Sequence, residues 1–526
     1  MMGKWRLALL SVLWVAVQPA IADARIFSGV GSTSIFVHDE TRGFDPWSAV
    51  HDGDGNVDGV IDYPKNPDLA DPTKGVRTLL TEIWYPVRAN ELGRRATRAI
   101  MGDYMLGNRS AFVASHFYMT TSDVDPDRVP VDQTADQALL EAKLALFDKE
   151  RKSYRLDKKG RVPHINPKGA PYPVVILLHG ATVSRAINGS IAEQLARRGY
   201  VVVAPDHTGS VQFTLAGSPL DDSPQGALNR ANVSFTPCDA LSPDCGLYPA
   251  RYNVFEFDFS PQKIIRLADA INQRVLDLRA VISELRDINA GLVETGAGLQ
   301  GKLDLDRIGL VGLSLGSIVA QVAKSTIEEI DAYIVAGPVG GPDMRPLVPP
   351  AWLAARPADD PMLPPDLGQV PANRIPSTIP AMYMLSGEDE VIAPFALGFG
   401  MTGLLPFPMP GNFFPGVRAQ YESAVGPALF SNLENAQHAS YYDAEAANFP
   451  LLYRTEFPSI LNYLGADLTY EVVDSRVAHR IGNGVITAFF DRYLKEKPWL
   501  LHRLLRTKRL KKLGFTLEAN AMVSGK

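Results

Sequence analysis

Short continuous apolar runs punctuate the chain at residues 174–178, 201–204, 308–311 and 332–335. Runs of that length without polar alternation suit strands buried on both faces. Residues 78–87, 381–385 and 428–433 add further strand patterns. Between them lie stretches whose apolar positions recur at helical spacing, at 134–146, 191–198, 264–285, 318–325 and 485–494. Strands alternating with helices predict an α/β fold, a mostly parallel sheet covered on both faces. In such a sheet the working loops stand at the carboxyl ends of the strands.

The run 308–311 leads into Gly312-Leu313-Ser314-Leu315-Gly316, and a helical pattern follows at once. A serine at the apex of a strand–turn–helix is a nucleophile elbow. The flanking glycines are needed because a Cβ there would meet the neighbouring strand or helix. Ser314 then stands clear of the sheet, beside a helix N-terminus and the Leu315 N–H, both of which favour developing negative charge. A base and an orienting acid should follow from later loops. After the strand 381–385 comes an acidic loop with Glu388, Asp389 and Glu390, closed by Pro394; after 428–433 comes His438. The second oxyanion donor is expected from the loop after 174–178, where His179-Gly180-Ala181 stands. Gly180 lets the chain turn so that the Ala181 N–H joins that of Leu315, and His179 fixes the loop.

Composition narrows the setting. Residues 1–6 are short and basic, 7–17 are apolar, and Ala20-Ile21-Ala22 closes the stretch with small residues, as in a signal peptide of residues 1–22. The protein is therefore expected to be secreted or periplasmic. The formal net charge is −6, and cleavage would remove Lys4 and Arg6 as well. An acidic export product lacks the basic surface that nucleic acid requires. Cys238 and Cys245 are the two cysteines, in a segment rich in Pro, Asp and Ser. In an oxidising compartment they read as a small disulfide-closed loop.

These pieces resemble the α/β-hydrolase superfamily, and within it the platelet-activating factor acetylhydrolase and dienelactone hydrolase-like serine esterases. The similarity rests on Glu82-Ile83-Trp84-Tyr85-Pro86, Leu178-His179-Gly180, Gly199-Tyr200-Val201-Val202 running to Pro205-Asp206-His207, Arg274-Val275-Leu276-Asp277-Leu278, and Asp306-Arg307-Ile308-Gly309 before the elbow. The resemblance implies a Ser-acid-His triad and no cofactor for catalysis. The chain departs from its relatives at Leu313, where they often carry histidine, and at Ser317, where they carry glycine. The acetylhydrolase acid follows the sixth strand, but Ala336-Gly337-Pro338 offers no carboxylate. The acid role therefore moves to the Asp389/Glu390 loop. The superfamily register between Gly387 and Pro394 favours Glu390, the commoner acid type favours Asp389, and Asp343 stands behind both.

No internal repeat or clean linker divides the chain. The expected organisation is an N-terminal segment 23–76, a hydrolase domain 77–495 with insertions at 210–257 and 338–380 forming a cap or lid, and a basic amphipathic tail 496–526. In the N-terminal segment Asp54, Asn56, Asp58, Val60 and Asp62 match the first nine positions of an EF-hand-type loop, with Gly59 at the turn. Lys65 takes the place of the bidentate glutamate, which leaves a structural calcium site and a plain Asp/Gly turn both open. The tail sets Arg503, Arg506, Lys508 and Arg509 against Leu500, Leu501, Leu504 and Leu505. Its leucines can dock on the domain, or its basic face can lie on an anionic membrane. The activity expected is cleavage of a small-molecule or lipid-like carboxylic ester. An amidase or peptidase on the same fold is the alternative, and a non-catalytic binding protein is a further one.

Overall fold

The computed structural model describes residues 29–46, 69, 71–112, 147–180, 183–211, 213–236, 246–249, 261–337, 345, 348, 350–354, 356, 358–364, 366, 369–386, 416–434, 436, 440, 473 and 475–524. Its strands are β1 (Gly29–Gly43), β2 (Val76–Val87), β3 (Thr97–Ile100), β4 (Glu150–Leu156), β5 (Tyr172–Leu178), β6 (Val201–Pro205), β7 (Phe213–Thr214), β8 (Tyr248–Pro249), β9 (Leu303–Leu313), β10 (Ile330–Ala336), β11 (Ala381–Ser386), β12 (Ala428–Leu433) and β13 (Phe515–Ala519). Eleven of them form one sheet in the order β13-β12-β11-β10-β9-β5-β6-β2-β1-β4-β3, and β7 pairs with β8.

From β6 to β12 every neighbouring pair is parallel. β2 and β13 close the two sides of that block antiparallel. Parallel neighbours need covered crossovers, and helices supply them. These are α1 (Gly189–Arg197), α2 (Pro224–Asn232), α3 (Pro261–Ala290), α4 (Leu315–Thr326), α5 (Pro350–Ala354), α6 (Gly416–Ser423), α7 (Ser475–Tyr493) and α8 (Trp499–Arg506). The strand alternation sorts the core into two layers. In β5, Val174, Ile176 and Leu178 face α3 and α4 with Ile271, Val275, Ile318 and Val322. Val175 and Leu177 face α1 and α7 with Ile191, Leu195, Ile486 and Phe489. Each such side chain removed from water contributes about 1.5–3 kcal/mol, so the central strands can carry no polar face.

The sheet runs past both ends of the segment 77–495. β1 pairs with β2 from Gly29↔Val87 onward, and β13 pairs with β12 from Leu429↔Ala519 to Leu433↔Phe515. Both strands alternate weakly, with half-buried and exposed positions, so the sequence did not announce them. The tail docks by its leucines: Leu500 and Leu501 are buried, and Leu504, Leu505, Leu510 and Leu513 pack beside them. The leucine face of the tail is thus occupied by the domain. Among the described residues no helix is long and apolar enough to cross a membrane.

The described parts of the two insertions lie against the domain. Leu353, Met362, Leu363 and Ala372 join the core layer of α3 and α4, and Arg356 bonds Asp269 of α3 at 2.6 Å. In the other insertion Val233, Phe235 and Tyr248 pack with Phe44 and Leu69 of the N-terminal segment. There Tyr248 donates to Asp45 at 2.6 Å, and the backbones of Thr236 and Leu247 exchange hydrogen bonds of 2.8 and 3.1 Å.

Candidate active site

Ser314 occupies the N-cap of α4 with φ 51° and ψ −121°. A non-glycine residue there is strained by about 1–3 kcal/mol and persists only where its surroundings fix it. Two hydrogen bonds do so, from the Ser314 N–H to the Ala336 carbonyl at 3.0 Å and from the Ser317 N–H to the Ser314 carbonyl at 2.7 Å. The glycines answer to backbone contact. A Cβ on Gly312 would lie 2.2 Å from the Gly316 oxygen, and one on Gly316 would lie 2.3 Å from the Leu178 oxygen. The elbow is thereby pressed against the end of β5. The hydroxyl of Ser314 makes no capping bond to its own helix, which leaves it available above the sheet edge. Leu315 is the first residue of α4, a position whose N–H has no intrahelical acceptor.

The carboxyl ends of the later strands line up with the elbow. Leu313 pairs with Ala336, Ala336 with Met384, and Met384 with Ser431. β11 ends at Ser386 and β12 at Leu433, paired with each other on that same edge. The acidic loop and the histidine loop therefore both begin where the serine stands. Asp389, Glu390, His438 and the reserve acid Asp343 themselves lie outside the described residues, as does Ala181. So do Asp54, Asn56, Asp58, Val60 and Asp62, together with Cys238 and Cys245. Among the described residues no group of three His, Cys, Asp or Glu side chains is placed to hold a metal ion.

A buried charge network lies beside the loop that follows β5. Asp277 of α3 accepts from Arg77 of β2 at 3.0 and 2.8 Å and from Arg42 of β1 at 2.7 Å. His207, in the loop after β6, faces the same carboxylate through Nδ1 at 3.1 Å. Its backbone N–H donates to His179 Nε2 at 3.2 Å. That contact fixes the His179 tautomer: Nε2 accepts, so Nδ1 carries the proton and donates to the Gly180 carbonyl at 2.7 Å. Arg274 of α3 is fully buried and donates to the His179 carbonyl at 2.8 Å and the Gly180 carbonyl at 3.2 Å. Close by, Arg185 pairs with Asp206, which follows β6.

Burial decides the protonation states here. His207 is held down to about 4, first by desolvation and then by the nearby Arg274, against the pull of Asp277. Its Nε2 is buried without a hydrogen-bond partner among the described residues, so a second proton would find no acceptor. His179 is held well below its ordinary range by burial, Arg274 and His207. Asp277 is held well below the carboxylate range by Arg77 and Arg42, which overcome its desolvation.

A pH dependence of stability follows. Both histidines are neutral when folded and titrate near 6.5 when unfolded, so above that value they cost nothing. As the pH falls the unfolded state takes up the protons first, which removes about 1.4 kcal/mol per pH unit for each group. For His207 the window runs from 6.5 down to about 4, on the order of 3 kcal/mol in all. The urea midpoint is expected to hold steady from pH 8 to 7 and to drop steeply between 6.5 and 4.5. A flat midpoint across that window contradicts the assignment.

Sequence reading did not single out this network. Its signal was present on α3, where Arg274 and Asp277 interrupt an apolar face formed by Ile271, Val275, Leu278 and Ile282. Two charges set within a buried stripe demand partners.

Comparison with known proteins agrees with this architecture. Residues 143–332, from ahead of β4 through the elbow and into β10, match the family described as platelet-activating factor acetylhydrolase, isoform II. No curated protein matches the chain. Among solved structures, a ferulic acid esterase from Streptomyces cinnamoneus is similar with a TM-score of 0.52 at 16% identity, over 94% of this chain and 98% of that one. The chain has the α/β-hydrolase fold.

Proposed function

We propose that this chain of the α/β-hydrolase superfamily is a serine hydrolase that cleaves carboxylic esters. The observation that carries the reading is Ser314, held at φ 51° on the elbow with its hydroxyl uncommitted to the helix it caps. The acetylhydrolase family match and the esterase likeness support an ester as the substrate class. In this reading Ser314 Oγ attacks the ester carbonyl while His438 takes its proton. The developing oxyanion is met by the N–H groups of Leu315 and Ala181. His438 then protonates the leaving alcohol, and water, activated by the same imidazole, releases the acid from the acyl-enzyme. Asp389 or Glu390 holds the imidazole in the needed tautomer.

The test is a panel of p-nitrophenyl esters of increasing acyl length, with the matching p-nitroanilides as the amide control. Hydrolysis of the esters is expected; turnover of the anilides alone would overturn the ester assignment. His438→Ala should abolish turnover. Asp389→Asn and Glu390→Gln, measured side by side, separate the acids. The true partner is expected to cost on the order of a thousandfold or more, because the imidazolium loses its counter-charge. If both variants keep near-normal rates, the acid is neither, and Asp343→Asn is measured next.

Export and calcium belong to the same proposal. The N-terminal segment and the 210–257 insertion share the cluster of Phe44, Leu69, Val233 and Tyr248. The calcium-like loop runs between Asp45 and Leu69, whose backbones bond at 3.2 Å, and the cysteine loop runs between Thr236 and Leu247. The Thr236–Leu247 bridge closes the chain on either side of the two cysteines, which supports reading Cys238 and Cys245 as a disulfide-closed loop. The exported protein is expected to begin near Asp23 and to melt higher in millimolar calcium than in chelator. A filled site stabilises by roughly 2.7 kcal/mol at a hundredfold excess over Kd. Asp54→Ala with Asp58→Ala should remove the difference, and a wild-type melting temperature indifferent to calcium leaves only the turn.

A further inference from the structure

The geometry points to Arg274 as a positioning residue for the oxyanion site, a role that rests on the serine hydrolase reading. Its guanidinium sits between the two loops that follow β5 and β6, with every described contact going to a neutral acceptor. Nε donates to Ser210 Oγ at 2.8 Å, Nη1 to the His179 carbonyl at 2.8 Å, and Nη2 to the Gly180 and Ser210 carbonyls at 3.2 and 3.0 Å. No carboxylate is its hydrogen-bond partner in these contacts. A fully buried guanidinium is costly; the nearby carboxylates of Asp277 and Asp206 offset part of that cost, but its hydrogen bonds go to the carbonyls.

What those bonds do is legible at Gly180. Its carbonyl receives two donors from the interior, Arg274 Nη2 and the protonated Nδ1 of His179 at 2.7 Å. A trans peptide group carries its carbonyl and its N–H on opposite edges. Held by these two donors, the Gly180 oxygen is committed to the interior and is not free to face the nucleophile. The flipped peptide would present a carbonyl oxygen to a developing oxyanion, and glycine places no steric barrier against that flip. The neighbouring carbonyls, Leu178 and His179, already lie against Gly316 of the elbow, so the loop cannot simply retreat. Arg274 thus sets which edge of the Gly180 peptide faces the nucleophile. Burial, helped by Arg77 and opposed by Asp277 and Asp206, lowers its affinity for its proton to about 9, which still leaves it cationic at neutral pH.

The test uses the full-length wild type and the variants Arg274→Lys, Arg274→Gln and Ser210→Ala. Lysine keeps the charge and loses the fork that reaches both carbonyls; Ser210→Ala removes only the Nε acceptor. With p-nitrophenyl acetate, Arg274→Lys is expected to lower kcat by about 100-fold or more with KM within about twofold, as loss of one oxyanion donor does. Ser210→Ala should lose about threefold to tenfold. A trifluoromethyl ketone, which forms the tetrahedral adduct, should bind Arg274→Lys more weakly by the same factor as kcat/KM falls. A purely structural role would lower the melting temperature while leaving kcat and the ketone affinity of the folded fraction unchanged. That outcome overturns the proposal, as does full kcat in Arg274→Gln. Should the Arg274 variants fail to fold, an unchanged kcat in Ser210→Ala overturns it. If instead the wild type hydrolyses no ester and does not bind the ketone, the serine hydrolase reading itself has failed.

Discussion

Ser314→Ala is expected to lose ester hydrolysis by about 10⁴-fold or more while its melting temperature stays close to that of the wild type. The loss is large because nucleophile, base and oxyanion donors act as a unit. Stability is spared because the serine side chain makes no capping bond, while its backbone is held through Ala336 and Ser317 whatever the side chain is. Alanine inherits the positive φ and so keeps the strain. Ser314→Gly should be equally inactive and melt higher than Ser314→Ala, since relief of about 1–3 kcal/mol exceeds the roughly 0.5–1 kcal/mol that glycine adds to the freedom of the unfolded chain. A fluorophosphonate probe should label the wild type at Ser314 and neither variant. Undiminished turnover in Ser314→Ala, or labelling at another serine, refutes the nucleophile assignment.

The elbow was legible because its chemistry is local. A strand, a serine between two glycines and a helix are contiguous in the chain, and the glycines are dictated by contacts within that stretch and with the end of β5. The central strands were legible for a similar reason, since burial on both faces leaves continuous apolar runs: the pattern at 428–433 is the strand Ala428–Leu433, and that at 174–178 lies within Tyr172–Leu178. β1, β4 and β13 were not, because one face of each is partly wet and their pairing is set by distant strands. The charge network was hidden for a further reason. Arg42, Arg77, His207 and Asp277 come from four separate elements, and only the folded chain brings them to one carboxylate. Asp389, Glu390 and His438 rest on position in the loops after β11 and β12, and the acid test above bears on them directly.

Asp277→Asn is expected to destabilise the protein by about 3–5 kcal/mol, whereas Arg77→Met should cost clearly less. The asymmetry comes from who remains when one partner leaves. With Arg77 gone, Asp277 still accepts from Arg42 at 2.7 Å and still faces His207 at 3.1 Å, so the buried anion stays compensated. With the carboxylate gone, two guanidiniums converge on a neutral amide, one of them only 1% exposed, and the anion they share is lost, although Arg42 keeps Asp39 at 2.6 Å. The amide also presents an N–H₂ group toward a cation on at least one side. With the amide nitrogen in place of Oδ2, His207 loses the acceptor of its Nδ1 proton, and through the His207 N–H to His179 the disturbance reaches the Gly180 carbonyl. Asp277→Asn should therefore lower kcat as well as the urea midpoint, while Arg77→Met lowers the midpoint alone. Equal losses of stability in the two variants would mean that the carboxylate is not the keystone of the cluster, and that the cations are held chiefly by packing.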